Sequence, residues 1–276
     1  MFPLPHAITA TLSFDEVIQR LSRHPAIDGL VVIGSAYRAA LNPTSDYDLV
    51  VVLSHMLVPL HVGLTYIDHR LTDLLFVSTT HIDTINTTTA PLDGEVWVGR
   101  MARWLLAGQI VFDRTGHLQQ AQEKVQQGTW VKPLEPIDAY GAWFGVNYNL
   151  THTRRLLASE DPVYLLAADL RMVLYGVSDV VFSYFRVRQL RWEGDKAAIR
   201  YLQTHDPVYF ALLQQFLQEP ERQRKFRVYE QIAAHTLAPL GGLWNEEITA
   251  LWFDPPPVAE TMVEQGIQFW EQLLRS

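Results

Sequence analysis

Gly29-Leu30-Val31-Val32-Ile33-Gly34-Ser35, then ten residues, then Asp46-Tyr47-Asp48-Leu49-Val50-Val51-Val52-Leu53: this stretch decides the reading of the chain. Both apolar runs are short, β-branched and bounded by glycine or polar residues, so each reads as a buried strand. Side chains alternate faces along a strand, so Asp46 and Asp48 project the same way and Tyr47 the other. Two carboxylates so placed repel unless a cation lies between them, and oxygen-only ligands of this kind suit Mg²⁺. Gly34 has no Cβ, so backbone can come close to a bulky anion there. Ser35 then opens a helix whose free amides favour phosphate oxygens, with its own hydroxyl as a further donor.

Working outward, a third carboxylate is expected on a neighbouring strand. Asp73 fits, as a polar intrusion in Leu71-Thr72-Asp73-Leu74-Leu75-Phe76-Val77 that is costly unless paired or metal-bound. Asp68 competes with it, but Asp68-His69 reads as the turn of a hairpin between strands 61–67 and 71–77. Upstream, Ser13-Phe14-Asp15-Glu16 has the form of a capping box opening a helix that runs to about His24. Downstream, helices are expected over 94–107 and 118–127, with a fifth strand at 109–112.

The pattern changes across 128–138, which holds a glycine and two prolines, and the domain boundary is placed there: residues 1–128, then 129–276. From Ala139 onward the periodicity is helical, over about 139–159, 162–188, 195–204, 207–218, 222–238 and 257–274. The segment 163–185 is apolar on nearly every face, as for a central helix of a bundle. The expected class is α+β: a mixed β-sheet domain followed by an all-α bundle, with a ligand between the two.

Composition narrows the function. The chain has 276 residues with 22 Lys plus Arg and 30 Asp plus Glu, a net charge of −8. That balance argues against a protein that coats extended nucleic acid or an anionic membrane. With no cysteine there is no disulfide framework, thiol nucleophile or thiolate metal site. No Lys or Arg precedes Arg20, so the basic start of a secretory signal is missing, and the cytoplasm is the expected compartment. The apolar stretch 49–64 is broken by Ser54, His55, Pro59 and His61, which suits strand, turn and strand rather than a membrane span.

Gly34-Ser35, ten residues, Asp46-x-Asp48 and a later Asp73 resemble the signature of the nucleotidyltransferase superfamily related to DNA polymerase beta. Arg38, Pro43 and Ser45 also resemble the form of its small bacterial members, although the glycine often following that arginine is Ala39 here. The resemblance covers roughly the first 80 residues, and the helical half is similar to aminoglycoside-type accessory domains in architecture only. It implies two Mg²⁺ held by Asp46 and Asp48, one of them shared with Asp73, which also acts as general base. It implies ATP or another nucleoside triphosphate held by Gly34, Ser35, Arg38 and Ser45. It further implies in-line attack by an acceptor hydroxyl, on a small molecule or a protein, with AMP transferred and pyrophosphate released.

Weaker signals have plainer readings. Lys196, one of four lysines, is a candidate to reach a triphosphate, against the simpler reading of a solvated helix charge. Tyr140, Trp143, Phe144 and Tyr148 recur at helical spacing and read as a core stripe before a base-stacking surface. Asp169 and Asp179, in the most apolar helix, read as structural ion-pair partners before an acceptor-side base. The alternative function is a nucleotide-binding regulatory or toxin–antitoxin-type module with little catalysis, and the chain is expected to be a monomer or homodimer.

Overall fold

The computed structural model describes residues 11–34, 44–56, 58–89, 97–128, 135–192, 194–245, 247–252 and 260–275. The chain forms two compact units, residues 1–132 and 133–276. The first opens with helix α1 (Phe14–Arg23), where the Ser13 hydroxyl accepts from the Glu16 amide and the Glu16 carboxylate accepts from the Ser13 amide. Strands β1 (Ile27–Ile33), β2 (Tyr47–Leu53), β3 (Val62–Ile67) and β4 (Arg70–Ser78) follow, and β5 (Gln109–Asp113) comes after two helices. The spatial order is β3-β4-β2-β1-β5. Within it β2 and β4 run parallel, and the other neighbouring pairs are antiparallel.

The β3–β4 hairpin turns on Asp68 and His69, both at positive φ (51° and 56°), with Ile67 paired to Arg70. That is the geometry of a two-residue turn whose twist matches the strands. Asp68 is thus a turn residue, and its amide donates to the Leu12 carbonyl at 2.9 Å.

Strand alternation sorts the core into two layers. Val31, Val50, Val52 and Val77 face helices α2 (Thr79–Thr87), α3 (Trp97–Ala107) and α4 (His117–Gln127). Leu30, Val32, Leu49 and Val51 face α1 through Phe14, Ile18 and Leu21. Helix α2 is absent from the sequence expectation, because Thr-rich 79–87 has weak helix propensity. It forms because Ile82 and Ile85 bury completely against the sheet. The Ser78 amide also donates to His81 Nδ1 at 3.1 Å, closing its first turn.

The second unit is helical: α5 (Pro136–Leu157), α6 (Pro162–Arg171), α7 (Val177–Val187), α8 (Asp195–His205), α9 (Pro207–Gln218), α10 (Arg222–Leu237) and α11 (Glu260–Arg275). Its core is built on Leu150, Met172, Val180, Tyr209, Phe216 and Ile232. Two expectations are corrected here. The single helix over 162–188 is interrupted by a π-helical turn at Met172–Gly176, where the glycine lets the fully buried Tyr229 ring lie against the backbone. Nor is this segment surrounded on every side: Ala168, Met172 and Val180 are buried, but Val163, Leu166, Leu170, Val173, Leu174 and Phe182 are exposed. Among the described residues, no helix is long and apolar enough to cross a membrane.

Candidate active site

Asp48 and Asp73 are register partners across the parallel β2–β4 pair. Alternation puts Asp48 on the face of Val50 and Val52, and Asp73 on the face of Leu75 and Val77, which is the face covered by α2, α3 and α4. The two half-buried carboxylates therefore stand side by side on neighbouring strands. Asp46, also half-buried, immediately precedes β2. Tyr47 between them is buried on the opposite face with Val17 and Ile67, stacked on Phe14 at 4.4 Å between centroids. Burial raises the Tyr47 phenol above its ordinary pKa, and the nearby Asp68 charge adds to the rise.

β1 supplies the third wall. Ile33 pairs with Asp48, and Gly34 follows at φ +74°. A Cβ on Gly34 would lie 2.5 Å from Asp48 Oδ2, closer than any real side chain tolerates. Glycine suits the left-handed backbone here, and any other residue would also push the Asp48 carboxylate aside.

The start of β2 is pinned by a residue that the motif does not contain. Arg70 Nη1 donates to the Ser45 carbonyl at 3.0 Å, and its guanidinium lies 6.0 Å from the Tyr47 ring centre. Ser45 itself is buried. No local signal in the sequence marks Arg70, because its place beside Ser45 follows from the pairing of β4 with β2. On the other side of Asp73, edge strand β3 continues the same face with Val62, Leu64 and Tyr66 exposed, Leu64 being the register partner of Asp73. The carboxylate pair thus borders an open apolar rim.

Of the remaining expected site residues, Ser35 and Arg38 lie outside the described residues. Lys196 is in the first turn of α8, in the second unit. The other weak signals resolve into structure. Asp169 accepts a two-pronged hydrogen bond from Arg222, at 2.9 and 2.7 Å. Asp179 departs from the ion-pair expectation: among the described residues it accepts from the neutral Asn149 amide, and burial raises its pKa above the ordinary carboxylate range. Arg188 stacks on Tyr184 at 4.0 Å and donates to the Thr236 and His235 carbonyls, closing the end of α10. Trp143 donates to the Gly242 carbonyl at 3.0 Å and Tyr140 and Phe144 pack on Trp252, so these three form a packed stripe, while Tyr148 is exposed.

The donor chemistry fits a hard divalent cation: adjacent carboxylates, with backbone rather than another side chain against one of them. Among the described residues, however, no three His, Asp or Glu side chains are drawn together into a ready-made metal cage. Asp48 and Asp73 are the pair that the register itself brings together.

Compared with known proteins, the chain matches no family profile and no curated protein. Among solved structures, a nucleotidyltransferase-like protein from Exiguobacterium sibiricum 255-15 is similar at 12% identity, with a TM-score of 0.42, over 82% of this chain and 73% of that one.

Proposed function

We propose that the chain is a nucleotidyltransferase that moves a nucleoside monophosphate, AMP from ATP in the simplest case, onto an acceptor hydroxyl. The observation that carries the reading is the side-by-side Asp48–Asp73 pair with Gly34 backbone against Asp48. Neighbouring carboxylates on one sheet face offer the oxygen ligands that a hard divalent cation takes, which supports the reading.

Asp46 and Asp48 would hold Mg²⁺ together with Asp73. When bound, Mg²⁺ neutralises triphosphate charge and polarises the acceptor oxygen. The chain's own residues do the rest. Gly34 turns the backbone beside Asp48 at the end of β1, and Ser35 and Arg38 offer donors to the phosphate oxygens. Arg70, through the Ser45 carbonyl, keeps Asp46 and Asp48 in position. Asp73 accepts the proton of the acceptor hydroxyl as its oxygen bonds to the α-phosphorus. The bond from that phosphorus to the β-phosphate bridging oxygen breaks, and pyrophosphate leaves.

The test is incubation with α-labelled ATP and Mg²⁺ against a panel of small-molecule and protein acceptors. Label transfer with pyrophosphate release is expected. Triphosphate binding equally tight in excess chelator, with no transfer to any acceptor, would overturn the reading and favour a regulatory module.

A further inference from the structure

Among the described residues of the second unit, the segment α6, π-turn, α7 carries a run of exposed apolar side chains. Val163, Leu166, Leu170, Val173, Leu174 and Phe182 are each at least half exposed, Val163 at 70% and Leu166 at 67%. They lie on one side, because Ala168, Met172, Gly176 and Val180, which alternate with them at helical spacing, are buried. The π-turn keeps this stripe continuous: its extra residue per turn brings Leu170, Leu174, Ser178 and Phe182 into one row of fourth residues. No Asp, Glu, Lys or Arg occupies that row. Contiguous apolar surface of this size, unlike scattered exposed leucines, marks an interaction site.

We infer that this stripe is the interface of a homodimer in which α6–α7 of one copy packs antiparallel on α6–α7 of a second. Two observations select a second copy as the occupant. The first is area: the six side chains leave on the order of 600 Å² uncovered, approaching the roughly 800 Å² that one partner gives to a standard interface. The second is charge. The stripe begins beside Glu160 and Asp161 and ends beside Arg186, all exposed. Antiparallel packing about a two-fold axis near Val173 lays the acidic end of each copy along the basic end of the other. Parallel packing would put like charges together. Arg186 is free to turn to this partner, since its contact with Asp138 is a long 3.5 Å and the side chain is half exposed. The inference stands apart from the transferase reading, which involves residues of the first unit.

The test uses the absence of cysteine from the chain. Light scattering of the full chain at micromolar concentration should give the mass of two 31.6 kDa chains. Leu170→Glu should give one chain with unchanged helical circular dichroism, because the residue is exposed within its own copy. V173C, near the axis, should form a disulfide-linked dimer on oxidation, since a disulfide needs Cα atoms within about 7 Å. V163C alone should not, but V163C mixed with F182C should give the mixed disulfide. Glu160→Arg should weaken the dimer at least tenfold, and adding Arg186→Glu should restore it. A wild-type chain that stays monomeric at 50-fold higher concentration overturns the inference, as does a dimer that survives Leu170→Glu. V173C that stays reduced while V163C crosslinks to itself overturns the antiparallel arrangement.

Discussion

Asp48 of β2 and Asp73 of β4, separated by 24 residues and a hairpin, are direct register partners on one face of a parallel strand pair. Two carboxylates in that relation repel at neutral pH. Asp73→Asn should therefore stabilise the metal-free protein by about 0.5 kcal/mol, roughly 1–2 °C in Tm. Added Mg²⁺ should raise the Tm of the wild type more than that of the variant, which keeps Asp46 and Asp48. Thermal melts with and without Mg²⁺ measure both effects.

The same substitution separates the roles of the carboxylates. Asp73→Asn should leave nucleotide binding intact and cost at least ~10³-fold in transfer rate, about 4 kcal/mol of barrier, if it holds the acceptor's proton. Asp46→Asn and Asp48→Asn should weaken Mg²⁺-dependent triphosphate binding as well. Triphosphate Kd and turnover for the three variants, side by side, decide this. Asp68→Asn serves as the control and should turn over like wild type, because that residue sits in the hairpin turn.

Gly34→Ala places a Cβ against Asp48 Oδ2 in a left-handed backbone conformation. A loss of ~1–2 kcal/mol in stability is expected from the backbone alone. The displaced Asp48 carboxylate should also lower Mg²⁺-dependent nucleotide affinity. Urea unfolding and calorimetric titration of the same preparation read the two effects separately.

Asp206 caps α9 through the Tyr209 amide at 3.0 Å, and accepts from the Tyr184 hydroxyl and His235 Nε2, both at 2.8 Å. Burial pushes its pKa up, but these hydrogen bonds outweigh it and hold the carboxyl below its ordinary value. With the folded pKa below the unfolded one, the stabilisation is complete at neutral pH and is lost as pH falls from about 4 through the folded pKa. Asp206→Ala should cost ~2–4 kcal/mol at pH 7. The Tm gap between variant and wild type should narrow below pH 4.

The Tyr229 hydroxyl is fully buried with no hydrogen-bond partner among the described residues. A Cβ on Gly176 would lie 2.9 Å from its Cζ and 3.0 Å from its oxygen. Tyr229→Phe removes an uncompensated polar atom and should stabilise by about 1 kcal/mol. Gly176→Ala should destabilise by ~1 kcal/mol or more, overpacking outweighing the better helix propensity, and less so in the Tyr229→Phe background. Four melting curves complete the cycle.

Much of this molecule is written locally. The Ser13–Glu16 cap, the turn at Asp68-His69, the β-branched runs of β1 and β2, and the start of α9 at Asp206-Pro207 each depend on residues within a few positions of one another. Local periodicity and capping chemistry therefore suffice to read them. The facing of Asp48 away from Tyr47 follows from the two-residue repeat of a strand in the same way. What tertiary structure alone decided is which strand lies beside which. Pairing of β4 parallel to β2 is a long-range contact that no local pattern encodes, and it alone brings Asp73 opposite Asp48. Helix α2 exists because Ile82 and Ile85 find the sheet, against the weak propensity of its threonines. The apolar segment 163–185 could equally have been central to a bundle, because composition does not say how many sides of a helix are covered. Packing of α5 and α10 covers one side and leaves Leu166, Leu170 and Leu174 to solvent.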